Sequence, residues 1–267
     1  MRPLRVLHII ESLGRGGAER QLVNQLLAHD RRLIHPSVIA LNQPLDLAAE
    51  LRAAGIAVLA LDLPTFRDLP LATLQLIGII KLLRPNIVHT WLTRADIAGR
   101  IAAVISGKIP VVSAVQAPIY EPSVFLENPR QKKWKLHCVR GLDLLTGWGS
   151  KTLYVACSQA VGASIQRALR VAPQRTQVIY NGVNLGEAQP YRPGQRLISV
   201  GRLSPEKGQR YLIEAMPQVL AHYPEATLDI VGAGPLRDRL QSQIPVSYTH
   251  LRAHETKANL VCRLLLE

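Results

Sequence analysis

The sequence predicts an α/β fold in which parallel strands are covered by helices on both faces. Short runs rich in β-branched residues alternate with longer helical stretches, which is the rhythm of consecutive β-α-β units. Gly55 and Pro85 stand where two predicted helices should end, because a C-terminal glycine and a proline beyond the last turn both stop a helix. Glycine-rich turns follow several strands, and parallel sheets bind ligands at the carboxyl ends of their strands.

The first predicted domain comprises residues 1–184. Its strands are expected at residues 5–10, 37–41, 57–61, 87–89, 111–114, 152–156 and 177–180. Its helices are expected at residues 18–29, 45–54, 71–83, 95–105 and 158–169, and the stretch 118–149 becomes helical only in its later part.

A polar stretch without periodicity, residues 185–195, is predicted to link this domain to a second one at residues 196–245. The second domain should contain a strand at 197–200, a helix at 209–222, a strand at 227–231 and a further helix. Because a complete domain typically needs about 100 to 150 residues, the second domain is predicted to be incomplete.

The last residues, 246–267, differ in pattern from everything before them. The run VSYTHLRAHET resembles the translation of a transposon-end adaptor used for sequencing libraries, so we expect the segment to be no part of the natural protein. The alternative is a genuine helix-loop tail, with Leu260, Val261 and Leu264 to Leu266 on an apolar face.

Composition narrows the classes of partner. The formal net charge is +13, from 32 Lys and Arg against 19 Asp and Glu, which favours polyanionic partners such as phosphates or anionic lipid headgroups. Nucleic acid is not expected, because no basic run interleaves with aromatic residues as a stacking platform requires. Cys138, Cys157 and Cys262 lack the spacing of a metal site or a disulfide framework, which favours a reducing, cytoplasmic compartment.

Two early features are candidate ligand contacts. Gly16 and Gly17 lie between the first strand and its helix, whose N-terminal N–H groups and dipole attract anions. The turn is not a dinucleotide fingerprint, because Glu19 stands where the last glycine would be, and the alternative is a turn that only lets strand and helix pack. His89, at the predicted end of the fourth strand, is a candidate to orient a substrate hydroxyl or phosphate, or is satisfied within its own turn.

The strongest motif is GRLSPEKG, residues 201–208, between a predicted strand and a predicted helix. The fork of Arg202 suits bidentate phosphate contacts and Lys207 adds a mobile point charge, so a diphosphate could be neutralised between them. A second turn follows the next strand, where Gly232 and Gly234 would let a backbone approach a ligand.

Four stretches together resemble a known family: GRGGAE after the first strand, VACSQAV, VIYNGVN, and the block from SVGRLSPEKG to GPLRDRL. They make the chain similar to a family-4 glycosyltransferase of the GT-B fold, with two Rossmann-like domains facing across a cleft. The resemblance covers residues 1 to about 245.

The resemblance implies a retaining enzyme that needs neither metal nor cofactor and moves a sugar from a nucleotide-diphosphate sugar to a glycan or lipid-linked acceptor. It implies that Asn181 and Gly182 shape the interdomain crossing. The donor would be bound by Gly16, Gly17, Gly201, Arg202, Lys207, Gly208, Gly232 and Gly234.

Two departures from the family pattern limit the expected activity. Gln116 stands near the place where family members often carry a His, and the acidic motif that binds the donor lies beyond residue 245. The catalytic residues are therefore unknown, and this chain is expected to be inactive while a full-length parent acts as a hexosyltransferase in envelope or exopolysaccharide synthesis. A UDP-sugar 2-epimerase of the same fold and a non-catalytic nucleotide-sugar-binding module are the alternatives.

Two segments suggest a peripheral position on an anionic membrane surface. Residues 129–135 place basic side chains beside Trp134, and the apolar helix predicted at 71–83 ends near Lys81 and Arg84. The alternatives are a solvated helix with the Trp packed inward, and a helix that covers the sheet.

Overall fold

The computed structural model of the protein describes residues 3–121, 133–185 and 194–244, and the backbone of 250–256 and 259–265. The chain divides near residue 186 into two units. The first contains a seven-stranded sheet and the second a four-stranded sheet.

All strand pairs of the first sheet are parallel, which confirms the α/β prediction for this unit. The strand order is β3-β2-β1-β4-β5-β6-β7, so the direction of winding reverses between β1 and β4. Ligands of open α/β sheets bind beyond the carboxyl ends of the strands at such a reversal. The strands are β1 Leu4–Ile10, β2 Ile34–Ala40, β3 Ala57–Ala60, β4 Ile87–Trp91, β5 Val111–Val115, β6 Thr152–Ala156 and β7 Thr176–Val178.

Helices cover both faces of this sheet. Side chains alternate along each strand, so Ile10 packs on one face with Leu22 and Leu51, while Leu7 packs on the other face with Leu76. The helices of the unit are α1 Gly17–Ala28, α2 Ala48–Ala53, α3 Leu69–Leu83, α4 Thr93–Ile105, α5 Lys133–Gly149 and α6 Gln159–Leu169. The first face is therefore covered by α1 and α2, and the second by α3 and α4.

The two predicted helix-terminating positions, Gly55 and Pro85, do follow the ends of helices. Gly55 has a φ of +74° just after α2, a left-handed conformation that glycine adopts without a steric cost. After α3 the chain turns through Arg84, with a φ of +47°, directly before Pro85.

Some predicted boundaries were wrong. β4 continues to Trp91 rather than ending at residue 89, because its last residues pair with both β1 and β5. β2 begins at Ile34 rather than at residue 37, since its first residues pair with the start of β1. α2 begins at Ala48 rather than at residue 45, because a turn closed by the Ala48 N–H and the Leu45 carbonyl precedes it.

The second unit contains β8 Arg196–Val200, α7 Gln209–His222, β9 Thr227–Val231, α8 Arg237–Ser242, β10 His250–Thr256 and β11 Asn259–Leu265. β8 and β9 are parallel, whereas β11 pairs antiparallel with both β9 and β10. The helical alternative for the tail was therefore wrong, because residues 259–265 pair as a strand. That the segment is no part of the natural protein stays a prediction.

Candidate functional site

The candidate site of the second unit is the loop of residues 201–208, here called the cation loop. It leaves β8 at its carboxyl end, passes through a single 3₁₀ turn at Pro205–Lys207, and enters α7. Gly208 caps α7 with a φ of +68°, which a side chain would disfavour. The N-terminus of α7 thus directs its positive dipole end at the loop.

Hydrogen bonds hold the backbone of the cation loop on both sides. The N–H groups of Gly201 and Leu203 donate to the carbonyls of Val231 and Ala233, each over 2.9 Å. The Nε2 of Gln209 donates to the carbonyl of Arg202 over 3.0 Å. The loop is therefore fixed before any ligand arrives, so a ligand would not have to order its backbone.

The turn with Gly232 and Gly234, which follows β9, allows the backbone of the cation loop to approach so closely. A Cβ added to Gly232 would overlap the carbonyl oxygen of Gly201, and one added to Gly234 would overlap the carbonyl oxygen of Leu203. The cation loop itself therefore fills the space that the missing side chains of Gly232 and Gly234 leave. A donor-binding role for the two glycines stays a prediction.

The two cations of the loop are presented differently. The Arg202 side chain is 70% exposed, and its Nη2 lies 3.0 Å from the Oε1 of Glu206. Burial alone would raise the pKa of Glu206, but hydrogen bonds from Ser204 and Arg202 outweigh it, so the pKa lies below its usual value. Lys207 forms no ion pair with the described part of the chain, which leaves its charge available to an anion.

In the first unit, the two glycines of the turn after β1 have different surroundings. Gly16 is the N-cap of α1, and the carboxylate of Glu19 occupies the space that a Gly16 side chain would need. Gly17 has no atom within 4 Å of its missing Cβ, so that position faces open space. Gly17 therefore leaves room for a ligand, whereas Gly16 makes room for Glu19.

Four other predicted residues meet in one groove of the first unit. This sheet-face groove lies beside α1 over the later strands, has a volume of about 570 Å³, and is lined in part by His89, Gln116, Asn181 and Gly182. The Nδ2 of Asn181 donates to the Oε1 of Gln116 over 2.9 Å, which ties the end of β7 to the end of β5.

The prediction that His89 closes a strand was wrong, because β4 runs on to Trp91. Its ring packs against the rings of His8 and Trp91, with centroids 5.0 and 5.1 Å away. Burial lowers the pKa of His89 to about 4, so its imidazole is neutral near pH 7 and carries no charge for a phosphate. Its role towards a substrate stays a prediction.

A buried charge network in the first unit was not anticipated. Arg100 forms an ion pair with Asp143, donates to the Oγ of Ser113 over 2.9 Å, and lies 3.8 Å from Asp96. Burial raises the pKa of Asp96 to about 6, although the charge of Arg100 acts in the opposite direction. The local signal was the spacing of Asp96 and Arg100, which lie four residues apart in one helix.

Sequence reasoning also missed the polar partners of the cation loop, which are Ser204 and Glu206 within it and Gln209 at the start of α7. The spacing of Arg202 and Glu206 was visible, but the fold of the loop decides that they meet. Within the described ranges, no group of three or more His, Cys, Asp or Glu side chains is placed to hold a metal ion. No helix in those ranges has the length and apolar character that crossing a bilayer requires.

Comparison with known families covers both units. The model of Glycosyltransferase Family 4 matches residues 15–187, and the model of Glycosyl transferases group 1 matches residues 189–245, which include the cation loop. An Escherichia coli protein named UDP-Gal:alpha-D-GlcNAc-diphosphoundecaprenol alpha-1,3-galactosyltransferase is 27% identical over 80% of this chain. This chain spans 55% of the length of that relative.

Solved structures share the fold. The Anabaena protein HepE in complex with UDP superposes with a TM-score of 0.67 at 20% identity, over 90% of this chain and 65% of its own. UDP-GlcNAc 2-epimerase from Neisseria meningitidis, bound to UDP-GlcNAc, gives a TM-score of 0.54 at 15% identity, over 90% of this chain and 68% of its own. Fold likeness at these identities does not separate a transferase from an epimerase.

Proposed function

This chain belongs to Glycosyltransferase Family 4, and we propose that it carries the donor-binding part of an enzyme that transfers a sugar from a UDP-sugar. The observation that carries the proposal is the cation loop, whose fixed backbone presents Arg202 and Lys207 beside the N-terminus of α7. A guanidinium fork, an ammonium group and a helix dipole at one turn suit a diphosphate. The same groups would stabilise the charge that develops on the departing nucleotide.

The finer features of the reaction are part of the proposal. We infer a retaining transfer of a hexose to a glycan or lipid-linked acceptor, without a metal, in the synthesis of envelope or extracellular polysaccharide. Catalysis would then come mainly from positioning and from charge stabilisation of the leaving group, since the cation loop presents Arg202 and Lys207 to a diphosphate. The name of the Escherichia coli relative, which includes UDP-Gal and a diphosphoundecaprenol acceptor, supports this choice of substrates.

The remaining predicted contacts join the proposal in secondary roles. Gly17 would let the backbone approach the substrates, because the space beside it is open, and Gly16 would support it through Glu19. Asn181 and Gly182 would shape the crossing to the second unit, since they follow β7 and Asn181 is held by Gln116.

The test of the donor site is UDP binding to the purified chain, measured by calorimetry against single variants. Arg202→Ala and Lys207→Ala should each weaken binding about tenfold or more, the range of a hydrogen bond to a charged group. Arg239→Ala removes an equal charge from the exposed surface of α8 and should leave the affinity unchanged. Equal UDP affinity in all four proteins would refute the site.

The epimerase alternative has a product test. A UDP-hexose incubated with the full-length protein should release UDP only when an acceptor is present. Conversion to the C2 epimer without an acceptor would favour the epimerase, and binding without either product would favour a non-catalytic module. The expectation that this chain transfers no sugar by itself stays a prediction, which a labelled-sugar transfer assay would test.

We further propose that the first unit contacts an anionic membrane surface through α3 and α5. Leu74 and Leu82 of α3 are 65% and 80% exposed, and Trp134 of α5 is 62% exposed, so the alternative of an inward-packed Trp was wrong. Exposed apolar side chains near Lys81 and Lys135 suit a charged bilayer interface. Residues 129–132 of the predicted basic segment lie outside the described ranges.

Sedimentation with phosphatidylcholine vesicles, with and without phosphatidylglycerol, tests the membrane proposal. The chain should bind more tightly to the anionic vesicles, and the double substitution Leu74→Gln and Leu82→Gln should reduce that binding. Leu33→Gln changes an equally exposed leucine outside these helices and should have no effect. Binding that ignores lipid charge would remove the proposal.

A further inference from the structure

Glu206 connects the rigid part of the cation loop to its exposed arginine. Ser204 is 2% exposed, and its Oγ donates to the Oε1 of Glu206 over 2.6 Å. The same carboxylate oxygen accepts from the Nη2 of Arg202 over 3.0 Å. The 3₁₀ turn that carries Glu206 is closed by the Lys207 N–H, which donates to the Ser204 carbonyl over 3.0 Å. The contacts therefore run from fixed backbone through Ser204 and Glu206 to the guanidinium.

These contacts use one edge of the guanidinium and leave another edge free. The Nε of Arg202 lies 3.4 Å from the Oγ of Ser204, so Ser204 and Glu206 together occupy the edge formed by Nε and Nη2. Within the described residues Nη1 has no hydrogen-bond partner. The edge formed by Nη1 and Nη2 is thus the one that can take two phosphate oxygens.

We propose that Glu206 is a positioning residue, which holds Arg202 with this free edge ready for the donor diphosphate. An exposed arginine otherwise samples many rotamers, and binding has to restrict them. Glu206 restricts them in advance, because it is itself held by a buried serine. The proposal rests on the donor site proposed above, and assigns to it a residue that does not touch the donor.

The carboxylate of Glu206 should also weaken donor binding through its charge, and this effect is distinct from its positioning of Arg202. Its negative charge lies close to the expected phosphates and lowers the attraction of the loop for them. Glutamine keeps an acceptor oxygen for Arg202 and Ser204 but removes the charge, whereas alanine removes both. If Glu206 acts by positioning Arg202, the Glu206→Gln variant should bind UDP at least as tightly as the original protein. The Glu206→Ala variant should bind UDP more weakly.

The experiment combines UDP titration with NMR of the Arg202 Nε–H group, on the complete chain. Glu206→Ala should weaken UDP binding about twofold to fivefold, the range of an exposed ion pair, and should make the Arg202 side chain mobile in the heteronuclear NOE. Glu206→Gln should keep Arg202 ordered. Glu214→Ala, a matched change of an exposed glutamate on α7, should alter neither quantity. In an Arg202→Ala background, Glu206→Ala should cause no further loss of affinity.

Several outcomes would overturn the proposal. Tighter or unchanged UDP binding in Glu206→Ala would mean that the carboxylate acts only as a competing charge or not at all. An Arg202 side chain equally ordered in Glu206→Ala and in the original protein would show that other contacts hold it. If no protein bound UDP, the proposed donor site would fail, and the NMR measurement alone would decide whether Glu206 holds Arg202.

Discussion

Two arginines of this protein pair with carboxylates in opposite surroundings. Arg100 in the first unit is 1% exposed and pairs with Asp143, whereas Arg202 in the second unit is 70% exposed and pairs with Glu206. A buried charge has lost its hydration, so the loss of one of its partners is strongly destabilising. An exposed pair contributes little to folding and stays open to exchange with a ligand. Burial therefore separates a structural arginine from a candidate binding arginine, although their partners are chemically alike.

The largest effect is expected from breaking the buried pair. Asp143→Ala leaves the guanidinium of Arg100 buried with weaker compensation, and should lower the free energy of unfolding by about 3 to 5 kcal/mol. Urea titration followed by tryptophan fluorescence reports the first unit, because Trp91, Trp134 and Trp148 all lie there. Arg167→Ala, which breaks an exposed pair with Glu121, serves as the control. A similar small loss in both variants would mean that burial does not distinguish the pairs.

The next largest loss of stability is expected from a substitution that blocks the close approach of the cation loop to Gly232. Gly232→Ala places a Cβ onto the carbonyl oxygen of Gly201 and should destabilise the second unit by about 1 to 3 kcal/mol. Gly194→Ala adds the same atom where nothing lies within 4 Å, so it should be nearly neutral. Amide hydrogen exchange in α7 and β9 would measure both. Equal protection in the two variants would show that the loop does not need the close approach.

A smaller effect on stability is expected from the titration of Asp96 in the buried network. The pKa of Asp96 is raised to about 6 by burial, against a usual value of 3.8, so the folded state holds this proton more tightly than the unfolded state. Its contribution to stability is complete below about pH 4 and is lost as the pH rises through about 6, by at most about 1.4 kcal/mol per pH unit.

Asp96→Asn should remove that part of the pH dependence. The free energy of unfolding, measured by urea titration between pH 4 and 7, should fall less with rising pH in the variant than in the original protein. Parallel pH profiles for the two proteins would mean that Asp96 stays ionised in the fold.

The smallest effect on stability is expected at the exposed pair. Arg202→Ala should change the free energy of unfolding of the second unit by less than about 1 kcal/mol, because an exposed i,i+4 pair contributes little. Hydrogen exchange in α7 would measure it, together with the UDP affinity that should fall in the same variant. A large loss of protection would place Arg202 with Arg100 as a structural arginine.

The sequence predicted the elements of this fold well where local chemistry decides them. The strand at 227–231 and the helix at 209–222 were predicted with the bounds that the structure has. Boundaries set by pairing were not predictable, since β4 reaches Trp91 only because β1 and β5 continue beside it. Local pattern contains no information about how far a neighbouring strand extends.

Some residues of the candidate site could be predicted from local sequence, and others depend on contacts that only the fold creates. Arg202 and Lys207 were found from residue type and their place between a strand and a helix. Glu206 was missed because its importance depends on the bond from buried Ser204. The link from Arg100 to Asp143 spans 43 residues of chain, and no periodicity predicts such a contact.

The most direct test of the donor site is an amide NMR titration of the chain with UDP, which compares the cation loop with the sheet-face groove. We predict that the signals of residues 201–208 and of the first turn of α7 shift, and that these shifts are lost in Arg202→Ala. Shifts confined to the groove around Gln116 and Asn181, or none at saturating UDP, would contradict the assignment of the nucleotide site to the cation loop.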